Sequence, residues 1–123
     1  MLGSAVLMPI AVQGSADFFS PAFIAALWIL TVASLLHVLM ILGEVSLTHS
    51  TAHARVALWE MMRGRYKNAF WIGVLLSILG GALPFLTLFG YLSIGMAGVP
   101  LALAGVMLYE HAYVQAGQSV PLA

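Results

Sequence analysis

Four apolar runs, separated by shorter polar stretches, set the plan of this chain: residues 1–12, 21–47, 69–89 and 93–116. The first, MLGSAVLMPIAV, reaches only about 18 Å as a helix at about 1.5 Å per residue, short of the roughly 30 Å hydrocarbon core of a bilayer. It predicts a partial helix that begins outside this chain, or a re-entrant piece, and Pro9 suits either. It lacks the cationic start and small-residue cleavage site of a signal peptide. After the polar loop QGSADFFS, Ser20-Pro21 opens the second run, with Ser20 as N-cap and proline in the first turn. This run, and those over 69–89 and 93–116, are each long enough to cross a bilayer. Gly80-Gly81 and Pro84 interrupt the third run and predict a kink, because proline lacks a backbone donor and clashes with the preceding turn. Tyr91 marks the tight turn beyond it, and Gly98, Ala102 and Gly105 give the last run a smooth stripe for close packing.

The polar positions inside this pattern carry the detail. His37 and Glu44 lie seven residues apart in the first complete span, on one helical face with Ser34, Ile41 and Thr48. A polar seam in a lipid-buried helix must face protein or a cavity. Residues 51–63 predict a short helix lying at the membrane interface, with Thr48 or Ser50 as its cap and Gly64 as its stop. Ala54, Ala57, Leu58 and Met61 form its apolar side, while His53, Glu60 and Arg63 gather on the other. Arg65, Tyr66 and Lys67 lead to Phe70-Trp71, an aromatic anchor at headgroup level. The fold class is therefore all-α, a polytopic transmembrane bundle of three complete spans with a short N-terminal apolar segment and an interfacial helix, all in one membrane domain of 123 residues.

Composition supports lipid as the solvent: 63% of residues are hydrophobic and 7% charged, where soluble domains carry about 25% charged residues. The four cations, Arg55, Arg63, Arg65 and Lys67, all fall between the second and third runs, whereas Asp17, Glu44, Glu60 and Glu110 are scattered. By the positive-inside tendency the loop 48–68 and the C-terminus face the cytoplasm. So few cations, placed where topology explains them, give no support to nucleic-acid binding. There is no cysteine, which excludes a disulfide framework, a thiolate metal site and a cysteine-held iron–sulfur cluster in this chain.

Further residues carry a resemblance. Gly43-Glu44 late in a span, His49-Ser50-Thr51 followed by Ala54 and Met62-x-Gly64, Phe70-Trp71-x-Gly73 with Pro84 beyond, and the ending Tyr109-Glu110-His111-Ala112-Tyr113-Val114-x-Ala116-Gly117-Gln118 are similar to the C-terminal part of the NrfD/polysulfide reductase-like family. Those are integral membrane subunits that exchange electrons between quinones and iron–sulfur partners. The resemblance implies a membrane subunit of a quinone-linked oxidoreductase in a bacterial cytoplasmic membrane, not catalytic alone. It implies quinone as substrate, an iron–sulfur subunit and a catalytic subunit as partners, and no cofactor bound by this chain. Members build larger bundles, so the resemblance also implies a fragment, a truncated form or one piece of a split subunit, with N-terminal helices supplied elsewhere. Of the family's embedded residues only Glu44 has a matching segment here.

Two sets of residues then stand out. Glu44 and His37 are candidates for a proton pathway or a quinone-adjacent seam, since quinone chemistry moves protons with electrons and intramembrane ionisable groups mark such relays; the plainer reading is an interhelical hydrogen bond. His49, His53, Arg55, Glu60, Arg63, Arg65 and Lys67 are candidates for partner docking or an interfacial surface. His49 and His53 share a zinc-ligand spacing, but Glu60 is the single further ligand in reach and metal sites need three or four. Glu110 and His111, near the chain end, read as solvated interfacial residues. The alternatives are a haem b anchor held by His37 and His111, and a small structural or transporter-like subunit using the Gly80 to Pro84 break.

Overall fold

The computed structural model describes residues 2–3, 5–7 and 21–121, all of its regular structure being helical. Most of the first apolar run, the loop at 13–20 and the Ser20 cap lie outside the described residues. Within that run residues 2–3 and 5–7 are helical, and Ala5 is fully buried against the bundle.

Helix α1 is Pro21–Ser46, α2 is Ala52–Met62, and α3 is Lys67–Ala82. A 3-10 helix, Leu83–Phe89, continues α3, and α4 (Leu92–Met96) leads into α5 (Gly98–Ser119). Three helical stretches are long and apolar enough to cross a membrane: Pro21–Ser46, Lys67–Phe89 and Ser93–Ser119. Over the described residues the chain is thus all-helical, with three candidate membrane spans. Their outward faces carry Trp28, Ile29, Leu36, Trp71, Leu75 and Met107, all exposed, as a lipid-facing surface requires.

The inward stripe of α1 repeats at three- and four-residue steps through Phe23, Leu27, Leu30, Ser34 and Ile41, all buried, with His37 and Glu44 half-buried in the same line. Two apolar clusters fix the bundle at its two ends. One joins Phe23, Leu27 and Leu30 to Val99 and Ala102; the other joins Ile41 to Met61, Phe70, Val74, Ala112 and Ala116. Between them the helices touch through small residues. A Cβ on Gly105 would come within 2.6 Å of the Ser77 amide nitrogen, and one on Gly80 within 2.4 Å of the Ala102 nitrogen, so α3 and α5 meet backbone to backbone. Helix α1 joins this pair where the Thr31 hydroxyl donates to the Gly81 carbonyl at 3.1 Å and Ser34 packs on the Cα of Gly81.

The break at Gly80 to Pro84 takes a particular form. Pro84 has no N–H for the Gly80 carbonyl, and the chain tightens from α to 3-10 winding at Leu83. The Thr87 hydroxyl donates to the Pro84 carbonyl at 2.7 Å, and Gly90 ends the segment with φ of +86°, a conformation that favours glycine.

Three local expectations are corrected. The cap of α2 is Thr51, whose hydroxyl accepts from the Ala54 N–H at 3.2 Å, rather than Thr48 or Ser50. Gly64 does follow α2, but with an ordinary negative φ; glycine is needed because Glu60 folds back over it, leaving 2.5 Å between a would-be Cβ and the Glu60 Oε2. Glu60 is accordingly half-buried rather than open on the polar side, and its Oε2 accepts the Arg65 N–H at 3.1 Å.

Candidate functional site

A single polar region stands out at the end of the bundle where α1 gives way to the loop before α2. Helix α1 places Glu44 half a turn from its end. The chain then turns back through an extended stretch that brings His49 under it. His49 Nε2 lies 3.3 Å from Glu44 Oε1, and His49 Nδ1 lies 2.9 Å from the Leu47 carbonyl oxygen. The carbonyl can only accept, so Nδ1 carries a proton and donates to it. The Nε2–Oε1 contact then holds one shared proton, written either as imidazolium donating to carboxylate or as carboxylic acid donating to imidazole. The His49 side chain is 18% exposed and the Glu44 side chain 41%.

Helix α5 supplies the opposite wall. Tyr109 and Tyr113, four residues apart and so on one face, have ring centroids 6.1 Å apart. Tyr109 also sits edge-on to the His37 ring at 5.3 Å, with an interplanar angle of 87°. Its position is set from behind by Gly73, where a Cβ would lie 2.7 Å from the Tyr109 nitrogen, and from the side by Phe70 at 6.0 Å. His37, Met40, Ile41, Glu44, Tyr109 and Tyr113 line a groove of about 280 Å³ between α1 and α5. A second cavity of about 150 Å³ lies on the loop side, walled by Glu44, His49, Tyr113 and the apolar face of α2. Glu44 and Tyr113 belong to both.

His37 Nε2 is buried without a hydrogen-bond partner among the described residues. A buried donor or acceptor left unpaired costs about 1–3 kcal/mol. Ser34 and Ser77 also carry buried unpaired hydroxyls: Ser77 is packed on Gly105 of α5, while Ser34 lies on Gly81 of α3 beside a separate, mostly apolar groove of about 320 Å³ between α1 and α3.

The remaining sequence candidates are spread over the surface. His53, Arg55, Arg63, Arg65 and Lys67 are exposed, and among the described residues none of the four cations pairs with a carboxylate. The Trp71 indole N–H donates to the Met62 carbonyl at 3.2 Å, which pins the turn between α2 and α3 beneath these cations. Among the described residues no three His, Asp or Glu side chains gather as metal ligands would. His37 and His111 open into different grooves, the latter beside Glu110 on the outer face of α5.

The structure thus joins His37 and Glu44 in one groove and adds three residues to them. Tyr109 and Tyr113 were readable only as a repeat at four-residue spacing in the last span. His49 was readable as a histidine just past a span that carries a glutamate, a spacing from which no contact follows. Compared with known protein families, with curated proteins and with solved structures, the chain matches none of them.

Proposed function

We propose that this chain is a membrane subunit of a quinone-linked oxidoreductase complex, contributing one wall of a quinone or proton pathway and a docking surface for an iron–sulfur partner. One observation carries the reading: the ionisable and phenolic groups His37, Glu44, Tyr109 and Tyr113 line a single groove between two spans of a largely apolar bundle. Ionisable residues at membrane depth are costly and mark proton or substrate paths. The sequence resemblance to the NrfD/polysulfide reductase-like family points the same way. In this reading Glu44 and His37 hold and pass protons beside the quinone, while the unpaired cations Arg55, Arg63, Arg65 and Lys67, with His53, meet the partner on the cytoplasmic side. Electrons run through clusters in the partner subunits.

The test has two parts. A tagged copy of the full chain, purified from its native membrane in mild detergent, is expected to bring down an iron–sulfur protein, seen by its paramagnetic resonance on reduction. In that complex Glu44→Gln is expected to lower quinol-linked turnover about a hundredfold or more, the range of a lost proton-transfer group. Purification without an iron–sulfur protein, or unchanged turnover in Glu44→Gln, overturns the proposal.

A further inference from the structure

The two cavities that share Glu44 and Tyr113 raise a question independent of any redox partner: what fills them. The inner groove, about 280 Å³, is open enough for lipid, and its Met40 and Ile41 would accept an acyl chain. An acyl chain, however, cannot bond to His37 Nε2, which is buried and has no partner among the described residues. Nor can it satisfy the Glu44 carboxyl or the phenols of Tyr109 and Tyr113, which line the same groove. A water needs roughly 10–15 Å³ of such space and two to four polar partners. Both cavities exceed that volume several times over, and polar groups recur along their length.

The position of the pair matters as well. His37 lies nine residues before the end of α1, which places it about 14 Å, or close to half the hydrocarbon thickness, from the loop end of the span. His49 reaches Glu44 from the loop, where water is at hand. Glu44 also lines the groove that His37 lines. The groups lining this route are His37 and Glu44 of α1, His49 of the loop, and Tyr109 and Tyr113 of α5, with Glu110 of α5 close enough to act electrostatically on His37; α2 contributes the apolar Ala54, Ala57, Leu58 and Met61.

We propose that the Glu44–His49 pair and Tyr113 form the mouth of a hydrated passage that runs between α1 and α5 from the loop after α1 to the His37 ring, about halfway through the bilayer. The passage rests on the bilayer placement of α1 and α5 and not on the quinone reading. Its consequence is that His37 exchanges protons with the solution on the loop side through Glu44 and ordered water, although it stands at membrane depth.

The absence of cysteine makes this directly testable, because any thiol introduced is the one thiol in the chain. The full chain, reconstituted into phosphatidylcholine nanodiscs, carries a single His37→Cys, Tyr109→Cys or Leu36→Cys substitution. Silver ion, charged and water-sized, is added, and thiols left free are counted with a mass-tagged maleimide after denaturation. His37→Cys and Tyr109→Cys are expected to react at least about tenfold faster than Leu36→Cys, which faces outward on α1. Adding Ala57→Trp, which fills the outer cavity, is expected to slow His37→Cys about tenfold and leave Thr48→Cys, on the exposed loop, unchanged. Equal rates at positions 37 and 36 overturn the passage, and insensitivity to Ala57→Trp overturns its route.

Hydroxyl-radical footprinting of the unsubstituted chain guards against misfolded variants. Radicals made from water are expected to oxidise Tyr109 at least about fivefold faster than Trp28, which is more exposed but faces lipid; the reverse order overturns the proposal. The two readings fail separately. A silver-accessible His37→Cys with unchanged turnover in Glu44→Gln keeps the passage and removes the quinone role. A silver-inert His37→Cys in a complex that loses turnover with Glu44→Gln does the opposite.

Discussion

At the scale of single residues, the tightest constraints fall on glycines where helices meet. Gly105 allows α5 to lie against Ser77 and Gly73 with no side chain between them. Gly105→Val is expected to cost at least about 1–3 kcal/mol, because the added atoms meet backbone that cannot rotate away. Gly117, on the same helix, has nothing within 4 Å of a would-be Cβ. Gly117→Ala is expected to be neutral or to stabilise by about 0.5 kcal/mol, since alanine is the better helix former. Unfolding of the detergent-solubilised chain in sodium dodecyl sulfate measures both, and equal effects would refute the packing assignment. The small-residue stripe over Gly98, Ala102 and Gly105 was legible because close packing demands small side chains wherever it occurs. The Glu44–His49 contact was not, because it depends on how the loop turns back after Ser46, and no local rule of sequence sets that path.

At the scale of elements, caps and breaks decide where helices stop. Thr51 accepts from the Ala54 N–H, so Thr51→Ala is expected to destabilise by about 1 kcal/mol, while Thr48→Ala and Ser50→Ala stay within about 0.5 kcal/mol. The same detergent titration distinguishes them, and a larger effect at Ser50 would move the helix start. Three neighbouring hydroxyl residues all make acceptable caps by type; Thr51 is the one whose extended backbone, φ −98° and ψ 146°, stands directly before α2 and turns its hydroxyl onto the Ala54 N–H. Between spans, the Thr31 hydroxyl bonds the Gly81 carbonyl just ahead of the change to 3-10 winding. Thr31→Val keeps the shape and removes the bond, with an expected cost of about 0.6 kcal/mol, typical of an interhelical hydrogen bond in a membrane protein. The site of that break was legible from Gly80, Gly81 and Pro84. Its form, a 3-10 continuation rather than a bare bend, follows from Thr87 and Gly90 closing the segment.

For the whole molecule, three helices among the described residues can cross a membrane, and the cations Arg55, Arg63 and Arg65 lie between the first and second of them, with Lys67 opening the second. If these helices cross in turn, the loop between α1 and α3 and the C-terminus share one face. A fluorescent protein fused after Ala123 is expected to fluoresce and alkaline phosphatase fused there to stay inactive, as for a cytoplasmic C-terminus. An active phosphatase fusion would invert the orientation. The bundle itself is uneven: α3 and α5 meet backbone to backbone at Gly73, Gly80 and Gly105, whereas α1 leans on α3 through Thr31 and Ser34. The groove at His37 and Glu44 lies between α1 and α5.

What the sequence determined by itself is the all-helical plan with three long apolar stretches, the shared face of α1 at Ser34, His37, Ile41 and Glu44, and the helix break at Pro84. Each of these is a local matter of period, length or a missing donor, so residues near in sequence suffice to set it. Only the tertiary structure decided which groups meet across that face. Tyr109 and Tyr113 come from the far end of the chain and His49 from a loop, and their approach to His37 and Glu44 depends on how α1 packs against the glycine-packed pair α3 and α5, a relation between helices that no single segment encodes.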